Sequence, residues 1–189
     1  MITPNMQPLV ELSPGELALR LGVLKDTMVR ALDAGERPPG VESVYRTPGG
    51  HRRVRWRPPP PVVFVSSSSL APAETTLAGF VRPWAHVART QAVQDVAELC
   101  TEHGAELVLV GSHGDELRAA FRSVGFLAVE YVPSMVRDTD DWLTGRAQQW
   151  LRRQREVGYP RDQVAILPDV TQPSLELAAQ ALGATRAAA

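Results

Sequence analysis

The sequence predicts an α/β protein in two parts: a small N-terminal domain of two helices and a β-hairpin, and a larger domain built on a mainly parallel sheet. Residues 62–189 alternate short, continuous apolar runs with amphipathic runs, which is typical of a doubly wound sheet covered by helices on both faces. Residues 1–57 instead carry helix-capping residues and a glycine turn between basic flanks. Between them, residues 58–61 are four prolines, which favour a stiff polyproline II linker.

Two helices are predicted in the first part. Ser13, Pro14 and Glu16 supply an N-cap, a proline at the first helical position and a capping-box acid, and Gly22 ends that helix. A second helix over residues 24–34, ended by Gly35, completes a helix-turn-helix whose outer face can enter a major groove. The residues expected to form the core are Leu17, Ala18, Leu19, Leu21, Met28, Val29, Leu32, Val41, Val44, Val54 and Trp56.

The hairpin is predicted around the turn Pro48-Gly49-Gly50, where proline fixes φ and both glycines are free to take positive φ. Strand alternation places Arg53 and Arg55 on one face and Val54 and Trp56 on the other. Residues 43–57 hold five arginines and His51 but no acid, so unopposed positive charge is expected to meet DNA phosphates. The alternative is a solvated charged hairpin.

These residues carry a family resemblance. Glu16-Leu17-Ala18, Leu21-Gly22-Val23, Thr27-Met28-Val29-Arg30 and Arg46-Thr47-Pro48-Gly49-Gly50-His51-Arg52-Arg53 resemble the winged helix-turn-helix of MerR, excisionase and BldC-like proteins. The resemblance implies a second helix in the major groove and a wing on the DNA backbone or minor groove. Leu24, Lys25 and Asp26 depart from the polar residues usual in that family, which leaves the bases read open. The predicted DNA-binding residues are Lys25, Thr27, Arg30, Arg46, Thr47, Gly49, Gly50, His51, Arg52, Arg53 and Arg55.

The larger domain is predicted to contain a five-stranded sheet. The expected strands cover residues 62–65, 85–88, 107–110, 127–132 and 164–167. The expected helices cover residues 73–80, 92–103, 115–124, 141–157 and 174–182. The apolar stripe of the 141–157 helix suits core packing or a dimer surface.

The larger domain is similar to haloacid dehalogenase-like hydrolases. The similarity covers Val96-Ala97-Glu98-Leu99, Gly104-Ala105-Glu106-Leu107, Leu109-Val110-Gly111-Ser112, Glu116-Leu117-Arg118, Gly158 to Asp169 and Leu177 to Ala184. That family needs two acids after its first strand, a serine or threonine, a lysine and acids that hold magnesium. Here the first strand ends in four serines, Ser66 to Ser69, and Ser112 matches the second motif. The only lysine is Lys25 and the only candidate metal ligand is Asp169, so we expect a degenerate domain with no catalytic residue, metal or cofactor.

Several interpretations of this domain stay open. The serines suit either a small anionic ligand at the carboxyl edge of the sheet or a plain polar turn. His113 beside Ser112 suits nucleophilic chemistry or a loop histidine, and Cys100 and His86 are expected to pack in the interior. The predicted function is a DNA-binding regulator or architectural factor whose second domain dimerises or binds a partner. The alternative is an enzyme recruited to DNA, a phosphatase or a serine recombinase, which Val63-Phe64-Val65-Ser66-Ser67 resembles without the arginine before its serine.

Composition sets outer limits. The chain has 189 residues, 44% apolar and 22% charged, which is globular. Residues 1–60 carry 9 basic and 6 acidic side chains, net +3, and residues 61–189 carry 11 and 15, net −4, so only the first part suits DNA. One cysteine excludes an intramolecular disulfide and a paired-cysteine zinc site. We expect a bacterial, cytoplasmic, nucleoid-associated homodimer that binds double-stranded DNA and no membrane.

Overall fold

The computed structural model describes residues 7–70, 90–133 and 140–183, which have a mixed α/β fold. The described residues form two compact units. Residues 7–59 and 150–161 form the smaller unit, and residues 60–70, 90–149 and 162–183 form the larger unit. None of the helices in these ranges is long and apolar enough to cross a membrane.

The smaller unit contains two helices and a three-stranded antiparallel sheet in the order β1-β3-β2. Its elements are β1 (Val10–Leu12), α1 (Pro14–Leu21), α2 (Lys25–Asp33), β2 (Val41–Arg46) and β3 (Arg52–Trp56). Strand β1 was not predicted. Its three residues are too few to show alternation, and the strand depends on pairing with β3, where Val10 lies opposite Trp56.

The capping box that was predicted for α1 is confirmed. The Ser13 hydroxyl accepts a hydrogen bond from the Glu16 backbone N–H at 3.2 Å, and the Glu16 carboxylate accepts one from the Ser13 backbone N–H at 2.7 Å. Hydrogen bonds to the Glu16 carboxylate from Ser13, from its backbone N–H first and then from its side chain, lower the pKa of Glu16. Gly22, with φ of 68°, ends the helix in the left-handed conformation that glycine adopts without strain.

The core of the smaller unit lies between the two helices and the sheet. An aromatic residue, Trp56, and an aliphatic one, Leu17, are fully buried in it. Leu19 was predicted to join this core, and that prediction is wrong, because 83% of its surface is exposed. At about 100° per residue, Leu19 points away from the face that Leu17 and Leu21 share. The buried residues are Leu12, Leu17, Ala18, Leu21, Met28, Leu32, Val41, Val54 and Trp56, with Val10 and Val44 partly buried against them.

The larger unit contains a four-stranded parallel sheet in the order β6-β5-β4-β7. Its elements are β4 (Val62–Ser66), a 3₁₀ turn (Ser68–Leu70), α3 (Thr90–His103), β5 (Glu106–Gly111), α4 (Gly114–Ser123), β6 (Val129–Pro133), α5 (Asp140–Glu156), β7 (Val164–Leu167) and α6 (Gln172–Gly183). The strand and helix predicted over residues 85–88 and 73–80, and His86, lie outside the described residues. Strand β6 begins two residues later than predicted, and Leu127 before it is 73% exposed.

Both faces of the central strands are buried, as expected for a doubly wound sheet. Val63 and Val65 pack in a core with residues of α3, α4 and α6, and Val62 and Phe64 on the opposite face are also fully buried. Cys100 lies in the core as predicted, and burial raises the pKa of its thiol far above the usual range. On α5 the residues Leu143, Ala147 and Trp150 are buried, which confirms the core interpretation of that stripe for these three, whereas Val157 is 69% exposed.

Candidate nucleic-acid interface

Helix α2 presents a polar face to solvent. It buries Met28 and Leu32, so its 3.6-residue period turns Thr27 and Arg30 outward, where both are exposed as predicted. Lys25 is also exposed as predicted, in the first turn, on the side of the helix that Met28 and Leu32 share. The N-cap residue of α2 is Leu24, whose side chain makes no capping hydrogen bond. The backbone N–H groups of the first turn therefore donate no hydrogen bond to the N-cap side chain.

The turn of the β2–β3 hairpin is a three-residue loop between Thr47 and His51. The Gly50 N–H donates to the Thr47 carbonyl at 2.8 Å, and the Thr47 N–H donates to the His51 carbonyl at 2.8 Å. Of the two glycines that were free to take positive φ, Gly50 does so, with φ of 78°, and Gly49 does not. This is the common hairpin in which a β-turn is followed by one left-handed residue. The Thr47 hydroxyl accepts from the His51 N–H at 3.2 Å, which gives Thr47 a structural part in the loop.

Four of the five hairpin arginines pair with a carboxylate, so the interpretation of them as unopposed is wrong for all but Arg46. Their partners come from outside residues 43–57, on α1, α2, β1 and the start of β2, where inspection of one stretch does not find them. Because each pair neutralises a guanidinium, these arginines attract phosphates less than bare ones would. The pairs are Arg52 with Asp33, Arg53 with Glu16 at 3.9 Å, Arg55 with Glu11 at 3.3 Å and Arg57 with Glu42 at 2.9 Å.

The strand alternation predicted for β3 is confirmed. Val54 and Trp56 are buried, and Arg55 points outward, where its guanidinium lies 5.5 Å from the centre of the Tyr45 ring. A hydrogen bond from the Tyr45 hydroxyl, followed by one from Arg55, lowers the pKa of Glu11, and the same bond to Glu11 raises the pKa of Tyr45. Arg55 is thus held along the sheet by an acid and an aromatic ring.

Four side chains of the predicted set remain without a carboxylate partner among the described residues. Lys25 lies in the first turn of α2 and Arg30 on its outer face, and Arg46 and His51 lie at the tip of the hairpin. Arg46 donates only to the Gly50 carbonyl at 3.2 Å. The Arg52–Asp33 pair joins the start of β3 to the last residue of α2, which ties the hairpin to the helix.

Residues 150–161 add a basic segment that the sequence analysis did not assign to this unit. Arg152, Arg153 and Arg155 are exposed on the last turns of α5. Residues 7–59 carry nine basic and six acidic side chains and residues 150–161 carry four and one, so the smaller unit has a net charge of +6. The rest of the chain carries seven basic and fourteen acidic side chains, net −7. The fold therefore separates charge more strongly than the sequence order does.

The four serines Ser66 to Ser69 form a polar turn at the end of β4. The Ser66 and Ser68 hydroxyls are 2.8 Å apart, and the Ser69 hydroxyl donates to the Ser66 carbonyl at 2.7 Å. The Ser67 hydroxyl is buried and accepts from the Ser112 N–H at 2.9 Å, which joins the ends of β4 and β5. Gly111 makes this approach possible, because a Cβ at its position would lie 2.1 Å from the Ser67 hydroxyl oxygen.

His113 and Asp169, two other polar residues of the larger unit, each lie close to polar side chains of a neighbouring helix start. His113 occupies the N-cap of α4 with φ of 60°, and its Nδ1 lies 3.9 Å from the Glu116 carboxylate. The Asp169 carboxylate accepts hydrogen bonds from the hydroxyls of Ser174 and Thr171 at the start of α6, and these bonds lower its pKa, the Ser174 bond most. Within the described ranges, no group of three or more His, Cys, Asp or Glu side chains could hold a metal ion.

Comparison with known proteins gives no further guidance. No family model, curated protein or solved structure matches this chain. The functional argument therefore depends on the geometry and charge of the site.

Proposed function

We propose that the smaller unit is a winged helix-turn-helix that binds double-stranded DNA, with α2 in the major groove and the β2–β3 hairpin as a wing on the DNA backbone. The observation that carries the proposal is the pairing pattern: in the described part of the unit, the cations without a carboxylate partner include Lys25 and Arg30 on α2 and Arg46 at the hairpin tip. The net charge of +6 supports it.

The two elements contribute differently. Lys25, Thr27 and Arg30 are the side chains on α2 that reach base edges or adjacent phosphates. Arg46 and His51 contact phosphates, and Gly50 lets the loop turn tightly enough to approach the backbone. The ion-paired arginines Arg52, Arg53 and Arg55 position the wing more than they bind DNA, because a phosphate has to displace a carboxylate from each of them.

The protein acts, in this proposal, as a non-enzymatic transcriptional regulator or DNA-architecture factor in the nucleoid. The larger unit serves as a homodimerisation domain, because specific DNA sites are usually read as paired half-sites. A strict monomer in sedimentation at micromolar concentration would contradict that role. The hydrogen bonds of Ser69 to Ser66 and of Ser112 to Ser67, and those that the Asp169 carboxylate accepts at the start of α6, support a structural use of the residues that the hydrolase resemblance singles out.

The DNA-binding proposal is tested by salt-series titrations with duplex DNA. We expect the Arg30→Ala, Arg46→Ala double variant to bind more weakly and to lower the slope of log affinity against log salt by about one to two, since each lost phosphate contact removes about 0.9. Both side chains are exposed, so the fold should be retained. The matched control is Arg122→Ala with Arg146→Ala, which removes one exposed and one half-buried arginine from the larger unit.

Two results would contradict the proposal. One is a wild-type protein that shows no duplex binding at low ionic strength. The other is a double variant of the smaller unit whose affinity and salt slope equal those of the control. Circular dichroism spectra of both variants exclude unfolding as the cause of lost binding.

A further inference from the structure

We propose that the last turns of α5 form a second phosphate-contacting surface of the same unit, through Arg152, Arg153 and Arg155. These residues lie more than ninety positions after the last arginine of the hairpin, Arg57, in the part of the sequence that is otherwise acidic. In the fold they belong to the basic unit, and the segment 150–161, with four arginines and one glutamate, raises its net charge from +3 to +6. The inference rests on the proposed DNA binding of the smaller unit.

The segment is anchored at its end. The Arg161 guanidinium lies 4.9 Å from the centre of the Tyr159 ring and 5.7 Å from that of Trp150, which is itself 7% exposed. Gly158 has φ of 77°, and a Cβ at its position would lie 3.6 Å from the Pro39 ring, so the chain passes close to the start of the sheet. The cation–π contacts join residues within the segment 150–161, and the close approach of Gly158 to Pro39 brings that segment against residues 7–59.

The helix ends in a defined geometry. The Gly158 N–H donates to the Arg155 carbonyl at 3.0 Å and the Tyr159 N–H donates to the Gln154 carbonyl at 2.8 Å, with Gly158 left-handed. These two bonds form a Schellman motif, which fixes the direction of the last turn. Trp150 is buried and Gln154 half-buried, so the helical period turns Arg152 and Arg155 to the opposite, solvent-facing side.

The arginines are available to a ligand. None of Arg152, Arg153 and Arg155 pairs with a carboxylate among the described residues, in contrast to four of the five hairpin arginines. Basic residues in a last helical turn, here Arg153 and Arg155, also interact favourably with the helix dipole. The dipole does not explain why the positive segment docks onto a unit that is already positive, because like charges repel. A polyanion such as duplex DNA removes that repulsion.

The position of the segment determines which phosphates of a bound duplex its arginines can reach. Pro39 and Trp56 lie at the end of the hairpin opposite its turn, since the Trp56 indole N–H donates to the Pro39 carbonyl at 3.1 Å and Trp56 pairs with Val41. The six residues of β2 span roughly 17 Å, which corresponds to about five base pairs along the duplex. The α5 arginines should therefore meet phosphates that flank those contacted by the wing tip.

The test compares random-sequence duplexes of about one and about three helical turns. We expect the Arg152→Gln, Arg155→Gln double variant to bind the long duplex roughly tenfold more weakly than wild type at moderate salt, with a salt slope lower by about one to two. On the short duplex the loss should be smaller, because fewer binding registers hold the wing tip and the α5 arginines on the DNA at once. The matched control is Arg122→Gln with Arg146→Gln, two arginines of the larger unit.

The outcomes separate this inference from the proposed function. If the wild type binds and the Arg30→Ala, Arg46→Ala variant is weakened while the α5 variant equals its control on the long duplex, the inference is overturned and the DNA-binding function stands. An equal loss on both duplex lengths also overturns it, because a flanking contact needs flanking DNA. If the wild type binds neither duplex, both proposals fail.

Discussion

Arg46 and Arg55 belong to the same basic hairpin but have different surroundings. Arg46 bonds only to a backbone carbonyl of the turn, whereas Arg55 pairs with Glu11 and lies over Tyr45. Sequence counts them equally, as one positive charge each. The structure distinguishes them, because a guanidinium already paired with a carboxylate gains less from a phosphate. The distinction makes Arg46 the stronger candidate for a DNA contact.

Gly49 and Gly50 also differ at the scale of single residues. We expect Gly50→Ala to lower the free energy of unfolding of the smaller unit by about 1 kcal/mol, because its φ of 78° is costly for a residue with a Cβ. Gly49→Ala is the matched control, since a Cβ there meets the His51 ring at an ordinary contact distance of 3.5 Å. Urea unfolding followed by tryptophan fluorescence measures both, and equal effects would contradict this account of the turn.

Helix α1 shows how a local sequence signal becomes a stabilising interaction at the scale of an element. The capping box of Ser13 and Glu16 satisfies two backbone N–H groups at the helix start, including that of Ser13 itself. The charged form of Glu16 is the better acceptor, which is why its pKa is lowered. The helix therefore depends on the ionisation of one carboxyl group.

That dependence predicts a pH effect on α1. Because the pKa of Glu16 is lower in the folded protein than its ordinary value of 4.5, its contribution is present above about that pH and is lost as the pH falls through the folded value. The stability difference between wild type and Glu16→Gln should therefore shrink between pH 7 and acid conditions. Urea midpoints over a pH series measure it.

The control for this series is Glu98→Gln on the exposed face of α3, which removes a carboxylate that takes no part in a helix cap. A difference for Glu16→Gln that stays constant as the pH falls would show that the carboxylate charge does not stabilise the helix start.

At the scale of the whole molecule, the chain has two separate hydrophobic cores, and the residues of one unit are not continuous in the sequence. Leu17 lies in the core of the smaller unit and Leu109 in the core of the larger unit. Residues 150–161 are far from Leu17 in the sequence but belong to the same unit. A substitution that weakens the core of the smaller unit should therefore also destabilise residues 150–161.

Hydrogen exchange tests this division. Leu17→Ala leaves a cavity at a fully buried position and should destabilise the smaller unit by about 2–5 kcal/mol. Amide exchange should accelerate in β1, β2, β3 and residues 150–161 and stay unchanged in β4 to β7. Leu109→Ala is the reciprocal control and should accelerate exchange in β4 to β7. Unchanged exchange of residues 150–161 in Leu17→Ala would place that segment outside the unit.

The sequence by itself determined most elements and the identity of the candidate interface. Helix caps, strand alternation and the proline-glycine turn are local signals, so α1, α2, β2, β3 and most of the larger unit could be located from neighbouring residues alone. The exposure of Thr27 and Arg30 followed from the 3.6-residue period of α2, whereas Lys25 is exposed in the first turn on the side of Met28 and Leu32.

Only the tertiary structure decided which charges are available. The acids that pair with the hairpin arginines, such as Glu11 and Asp33, are distant in sequence, and no local pattern shows that a side chain from another element will reach them. The same reason hid the basic segment at the end of α5, whose assignment depends on packing around Trp150 and Pro39. Periodicity fixes which way a side chain points, but packing of distant segments fixes what it meets, and electrostatics depends on the second.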